Sequence, residues 1–411
     1  MLKTKEIATR VVKKLQEAGF IAYFAGGWVR DHLMQHPSDD IDIATDASVD
    51  QIKELFAKTI PVGVAFGIVI VVEEGEHFEV ATFRKDRGYF DGRRPSGIDP
   101  AIPEEDAQRR DFTINGMFYD PVSEELFDFV GGKEDIDKQV IRAIGDPHER
   151  FAEDRLRMMR AVRYSTRFGF PIEEKTVEAI RAHAPELLPS VAMERVWQEF
   201  KKMSQFAHFD TGLILLHDLR LLPTIFPDLK EISLEEIQLR VECIERFPKD
   251  APTFAELLEL FPDHDLDQVS QLAEMLKLSN KEKAFVQFYY HAQTLCNMPA
   301  DWLEKLEKIE WAQFYAEDHS KIGLEMVSVR QKNPAQFLKE HRERQTMLES
   351  HIERIRAKRP YLQAEHLIKE RVQPGEKMGE LLTEGMRIAV NEEITDPNEL
   401  IKRLKQTSLW T

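Results

Sequence analysis

Apolar residues recur along this chain with two periods, and the pattern changes near residue 146. Before it, helical and strand spacings alternate. Ile7, Val11, Val12 and Leu15 share one face of a helix. Phe20 to Ala25 predicts a strand ending at Gly26-Gly27, then a short helix from Val29 to Met34 and a strand from Ile41 to Ala44. Ser48 with Gln51 forms a capping box that opens a helix through Phe56. Phe66 to Val72 and Phe78 to Arg84 read as paired strands around the turn Glu74-Gly75-Glu76. Asp86 to Pro103, rich in Gly, Pro and Arg, reads as a mobile loop. After residue 146 the spacing is helical almost throughout, with breaks expected at Pro147, Pro171, Pro189, Pro223, Pro227, Pro248 and Pro262. The pattern predicts an α+β chain: a small N-terminal sheet domain followed by helices.

Composition narrows the class. The 411 residues suffice for two to four domains, and 42% hydrophobic with 31% charged residues is ordinary for a globular protein. The longest apolar run, Pro61 to Val72, is too short to span a bilayer, and no signal-like apolar stretch follows Met1. Cys243 and Cys296 stand far apart without a CxxC partner, which excludes a cysteine-built zinc cage. The expected placement is cytoplasmic. A net charge of −17 means that an anionic polymer would need local basic tracks. Three exist: Arg84, Lys85, Arg87, Arg93 and Arg94; Arg155, Arg157, Arg160, Arg163 and Arg167; and Arg342, Arg344, Arg354, Arg356, Lys358 and Arg359. For the third, a solvated helix face is as good a reading as a binding track. The acidic stretch Asp228 to Asp267 is expected to face away from such a partner.

Three motifs carry chemistry. In Gly26-Gly27-Trp28-Val29-Arg30-Asp31 followed by Asp40-Ile41-Asp42, the two aspartates project to one side of a strand while Ile41 and Ile43 face the core. Carboxylates so placed repel each other unless a cation lies between them, and Mg²⁺ suits hard oxygen ligands and phosphate. Gly26-Gly27 lets backbone N–H groups approach a phosphate. A lone D-x-D is usually a solvated edge and a lone Gly-Gly a turn; their combination is more specific. In Arg109-Arg110-Asp111-Phe112-Thr113-Ile114-Asn115, Arg110 offers a planar donor fork for phosphate. In Glu153 to Arg163, Asp154 and Arg157 lie three apart on an expected helix face. That spacing gives an intrahelical salt bridge by default. It also supplies an acceptor beside a donor, which suits the edges of cytosine and adenine and mismatches uracil and guanine.

The segments GGWVRD, DIDIAT, EVATFR, RRDFTIN, FVGGKEDI with IRAIGDP, EDRLRMMRAVR and MERVWQE stand in an order that resembles class II CCA-adding enzymes and bacterial poly(A) polymerases, over roughly residues 20–235, with a weaker echo at Pro360 to Leu382. The resemblance implies a nucleotidyltransferase head over 1–145, a base-recognising neck over 146–200, a helical body over 201–333 and a helical, RNA-binding tail over 334–411. It implies Asp40 and Asp42 as Mg²⁺ ligands and Glu79 as the third carboxylate. Gly26, Gly27, Arg30 and Arg110 become triphosphate and ribose contacts. Asp154 and Arg157 become the template for the incoming base, with Arg160 and Arg163 as further nucleotide contacts. The implied partners are ATP, CTP and the 3′ end of tRNA, with neither DNA nor membrane. Asp91-Gly92-Arg93-Arg94-Pro95 resembles the element implicated in switching from C to A addition. Trp28, Ile68 and Gly116 depart from the family pattern and put the fine tuning of the site in question.

CCA addition is expected over poly(A) or A-only addition, because Leu156 matches the CCA-adding variant and no long basic extension follows Lys405. The rivals are an inert RNA-binding protein, a small-molecule nucleotidyltransferase and a metal phosphohydrolase at His217-Asp218. An isolated His-Asp pair on a Leu-rich helix is usually structural.

Overall fold

A computed structural model of the protein describes residues 2–36, 38–89, 95–298 and 305–410. The chain forms two compact units, Met1–Leu239 and Arg240–Thr411. In the first, α1 (Leu2–Glu17), β1 (Ala22–Ala25), α2 (Gly27–Leu33), β2 (Asp42–Thr45) and α3 (Val49–Leu55) follow the expected order. The Ser48–Gln51 capping box is present at α3. Next come β3 (Thr59–Gly63), β4 (Ile68–Glu73) and β5 (Glu76–Thr82), then β6 (Arg84–Tyr89), β7 (Pro95–Pro100) and α4 (Pro103–Gln108). β8 (Phe118–Asp120) and β9 (Glu125–Phe127) complete the sheet elements.

Seven strands form one mixed sheet in the order β3-β4-β5-β2-β1-β8-β9. Its pairs are antiparallel except β2 with β5, where Ile43 aligns with Val80. The sequence pattern missed three of these strands for a common reason. β3 carries Pro61 and Gly63, which an edge strand tolerates, and β8 and β9 are three residues each, too short for alternation to register. The expected mobile loop is also corrected. Most of Asp86–Pro103 belongs to the antiparallel ribbon β6–β7, with Pro95 and Pro100 at its terminal pairs and Arg87 bonded to Asp99 across it. Asp91 to Arg94 lie outside the described residues.

The two sheet faces differ in a way that places the site. α1, α2 and α3 cover one face, where Ile7, Val11, Leu15, Phe24, Val29, Ile43, Ile52, Val69 and Val80 form a closed core. Trp28 joins this core, edge-on to Phe24 and stacked on His32, so it does not enter the site beside Gly27. The opposite face holds only a small cluster of Ala25, Ala44, Phe83, Ala107 and Phe118. Asp42 of β2 and Glu79 of β5, on the same face as Ala44, therefore stay exposed.

The unit continues as helices. α5 (Gly132–Asp137), α6 (Pro147–Glu153), α7 (Leu156–Phe168) and α8 (Glu174–His183) precede the single turn α9 (Leu187–Ser190) and α10 (Met193–Ser204). Met158 and Met159 are fully buried, as core residues rather than ligands. The expected boundary at residue 200 falls inside α10.

The second unit is helical. Among the described residues its longest helix, Pro334–Arg356, carries Arg342, Arg344, Arg354 and Arg356 of the third basic track. There Arg344 lies over Trp311, Arg354 lies over Tyr361, and Arg356 donates to the carbonyls of Tyr315 and Ala316. These arginines close helix ends and cover aromatics, which favours the structural reading of that track. Cys243 and Cys296 are free and buried, and burial pushes both thiols up to about 12. Among the described residues, no helix is long and apolar enough to cross a membrane.

Candidate active site

Alternation along β2 decides where its acids point. Ile41 and Ile43 are buried in the helix-covered core, while Asp40 and Asp42 stay exposed. Asp40 lies just ahead of the strand, not inside it, but keeps the alternation. On β5 the same parity exposes Glu79 between buried Phe78 and Val80. Because β2 and β5 run parallel with Ile43 beside Val80, Asp42 and Glu79 stand one step earlier on neighbouring strands. Three carboxylates thus gather on the open face.

Asp42 registers their crowding. Solvent reaches its edge, but protein packs round its other sides, and that desolvation, followed by the charges of Glu79 and Asp40, pushes its carboxyl up to about 7 against the pull of Arg110. The donors are three carboxylates with hard oxygen atoms, mutually repelled and open to solvent. They fit a divalent cation of the Mg²⁺ kind.

Gly26 closes the site from the other side. It adopts φ +67°, and a Cβ there would lie 3.3 Å from Arg110 Nη1 and 3.7 Å from Asp42 Oδ2. Any larger residue would be strained in backbone and crowded between the two charged groups. Arg110 is aimed by Asp106, which is 1% exposed and bonds the guanidiniums of Arg109 and Arg110 and the backbone N–H of Arg84. Arg110 also lies over the Phe118 ring.

Arg30 sits deeper than a phosphate contact would. It is 2% exposed, bonded to Asp31 and Asn115 and covered by Tyr164 and Phe168. Arg163 is likewise buried, 3.1 Å from Glu199. Arg160 donates to Asp111 at 2.7 Å. Burial alone would raise the Asp111 carboxyl, but Arg160, a bond from Asn115 and the charge of Arg157 outweigh it and hold it at about 2. These arginines are braced by acids, so the second basic track forms a rigid network and not a row of free cations.

Asp154 and Arg157 do not share a helix. Asp154 terminates α6 with φ −143° and ψ 103°, and Arg157 begins the second residue of α7. The break follows from aspartate chemistry: Asp154 Oδ1 accepts the N–H of Leu156 at 3.1 Å, which competes with helix continuation. The default intrahelical salt bridge is therefore absent from this pair. Asp154 meets Arg195 of α10 at 3.0 Å. Arg157 meets Glu153 at 2.6 Å and donates to the carbonyls of Arg150 and Arg109. Asp154 keeps a part-exposed carboxylate held from one side, the condition for presenting an acceptor to a ligand.

Sequence reasoning passed over Asp106, Asp111, Asn115, Glu153 and Arg195 as working residues. Four of them lay in segments already singled out, and their signal was charge inside a motif that buries its neighbours. Gly116, a departure from the family pattern, is packed so that a Cβ would lie 2.7 Å from Val130 and 2.9 Å from Ile144. Ile68 extends β4 beside Ala81. His217 bonds the Leu229 carbonyl and Asp218 pairs with Arg181, which accounts for both structurally.

Residues 22–142 match the poly A polymerase head domain, and residues 169–233 match the probable RNA and SrmB-binding site of polymerase A. The CCA-adding enzyme of Lactobacillus helveticus is 46% identical over 202 residues, 49% of this chain and 50% of that one. The CCA-adding enzyme of Bacillus subtilis is 47% identical over 199 residues, 48% of this chain and 50% of that one. The matched segment thus spans about half the length of these curated relatives. A crystal structure of the Bacillus stearothermophilus CCA-adding enzyme in complex with CTP is similar over 98% of both chains, with a TM-score of 0.79 and 26% identity. A Thermotoga maritima CCA-adding enzyme complexed with tRNA shares the fold, with a TM-score of 0.64 at 20% identity over 97% of this chain and 93% of that one. With these matches added to the acids at β2 and the arginine network behind them, residues 22–142 are similar to the poly A polymerase head domain, and the chain as a whole is similar in fold to CCA-adding enzymes.

Proposed function

We propose that this protein adds C and A nucleotides to the 3′ end of tRNA, using CTP and ATP and releasing pyrophosphate. The observation that carries the reading is the like-charge crowding at Asp42, which a bound cation and a triphosphate would relieve. Asp40 and Asp42 would hold Mg²⁺. The ion, when bound, supplies charge neutralisation at the phosphates and lowers the pKa of an attacking hydroxyl. Glu79, beside Asp42, orients the RNA 3′-hydroxyl and takes up its proton. Arg110, aimed by Asp106, holds the triphosphate in line, and Gly26 and Gly27 let the backbone approach it. Arg30, Arg160 and Arg163 act from behind as the braced floor of the nucleotide site. Asp154 and Arg157 present an acceptor and a donor to the base, in a neck spanning 146–200 between a head of 1–145 and a body and tail of 201–333 and 334–411. Such an enzyme works where tRNA matures, which for a bacterial-type member is the cytoplasm.

The test uses tRNA lacking its 3′ end, with CTP and ATP together and then singly. Two C additions followed by one A are expected, and Asp42→Ala should abolish them while RNA binding persists. Open-ended adenylation with ATP alone would move the protein to the poly(A) branch. A fully active Asp42→Ala variant would end the metal assignment. For the base reader, Arg195→Ala should free Asp154 and admit UTP by about tenfold, roughly 1.4 kcal/mol, with little change in CTP turnover. Selection that survives in Asp154→Ala and Arg157→Ala alike would remove the template role.

A further inference from the structure

The mechanism leaves a histidine pair in the first unit unused. His148, at the start of α6, faces His183, the last residue of α8. His148 Nδ1 and His183 Nε2 lie 3.2 Å apart, with the rings inclined at 62°. On its other side, His183 Nδ1 lies 3.3 Å from Glu186 Oε2, and Arg155 holds that carboxylate at 2.8 Å.

We propose that His148 and His183 form a two-histidine site for a first-row divalent transition ion of the Zn²⁺ type. Two nitrogens bound to one tetrahedral zinc at 2.0–2.1 Å each stand about 3.3 Å apart, the separation found here. The Glu186 carboxylate, 3.3 Å from His183 Nδ1, favours by its charge a proton on that nitrogen, which leaves the Nε2 lone pair facing His148. A carboxylate behind a ligating histidine is the usual device for fixing tautomer and ring orientation at such a centre. Imidazole ligands select Zn²⁺, Cu²⁺ or Ni²⁺ over Mg²⁺, so this site and the carboxylates of β2 would not compete for one ion. His148 is exposed, so water can complete the coordination. The pair ties the start of α6 to the end of α8. Through Glu186 and Arg155 it also reaches the residue next to Asp154.

The experiment uses the untagged, metal-stripped full chain with millimolar Mg²⁺ present throughout, so that the β2 carboxylates are occupied. Zn²⁺ is titrated against a chromophoric chelator, and Co²⁺ binding is followed by its visible spectrum. One equivalent per chain is expected, weaker than a site with three or four protein ligands because water completes the coordination. His148→Gln and His183→Gln should each lose that equivalent while their melting temperatures without Zn²⁺ stay near that of the parent. Glu186→Gln should bind about 10–100-fold more weakly. No bound equivalent in the parent, or an unchanged equivalent in both histidine variants, would overturn the proposal.

Discussion

Asp111 in the first unit and Glu256 in the second are both withdrawn from water, at 8% and 7% exposure, yet they stand on opposite sides of neutrality. Asp111 accepts from Arg160 and Asn115 beside Arg157, and is held at about 2. Among the described residues, Glu256 meets no compensating charge. Burial pushes it up to about 8, and its Oε2 has no hydrogen-bond partner among the described residues. Burial is shared, so the partner decides the charge state. Asp42 is a third case: its edge is open, but its neighbours carry its own sign. The first unit sets Arg160 and Arg157 against Asp111, whereas beside Asp42 the pull of Arg110 is outweighed by desolvation and two neighbouring carboxylates, and that second acid is where a cation would bind.

The largest effect should come from breaking the paired case. Asp111→Ala leaves the half-buried Arg160 without its counter-charge; removing one partner of a buried pair costs about 3–5 kcal/mol, and the partial exposure of Arg160 puts this case at the low end. Chemical denaturation should show that loss at pH 7. The depressed carboxyl contributes stability that is full above its unfolded value and fades as pH falls from about 4 toward 2. The variant's deficit should therefore shrink over that window. A deficit constant down to pH 2 would mean that packing, not charge, made the difference.

The unpaired case should respond in the opposite direction. A raised carboxyl takes up a proton on folding, so the parent loses stability as pH rises from the unfolded value through about 8. Glu256→Gln cannot ionise and should be about 2–4 kcal/mol more stable than the parent at pH 9, with the difference vanishing near pH 4. Melting temperatures across that range would check it. Equal pH slopes in parent and variant would contradict the burial argument.

The contrast explains what was legible in the sequence. Strand alternation at Asp40-Ile41-Asp42-Ile43 told that these acids face out, because one sheet face is packed by α1 to α3 and period two is strict, whereas Glu79 entered only through the family resemblance. The motif order located the arginines. Their partners were not legible, since Asp111 with Arg160, Asp154 with Arg195 and Arg163 with Glu199 join residues 36 to 49 positions apart, across separate elements. The helix break at Asp154 was hidden because Glu153 to Arg157 reads as continuous helix until the aspartate caps its own backbone. The ribbon β6–β7 was hidden because Gly and Pro signal loops wherever pairing partners are unknown.

The smallest stability change, and the sharpest test of the comparison, belongs to Asp42. Its carboxyl is raised, so the charged form opposes folding once pH climbs from the unfolded value toward about 7. Asp42→Asn removes that opposition without changing shape. Because the side chain is partly in water, screening reduces the gain to about 1 kcal/mol, seen at pH 8 without Mg²⁺ and absent near pH 4. Added Mg²⁺ should erase the advantage, since only the parent offers the ion a full set of carboxylates. The same substitution should depress nucleotide transfer by roughly 10³-fold, several kcal/mol of lost charge stabilisation. A residue kept for the fold would lose stability and activity together. An active-site acid held in an unfavourable place for its chemistry should gain the first and lose the second. If Asp42→Asn were less stable than the parent at pH 8 in Mg²⁺-free buffer, the crowding of Asp40, Asp42 and Glu79 would be a structural feature and the cation site would have to lie elsewhere.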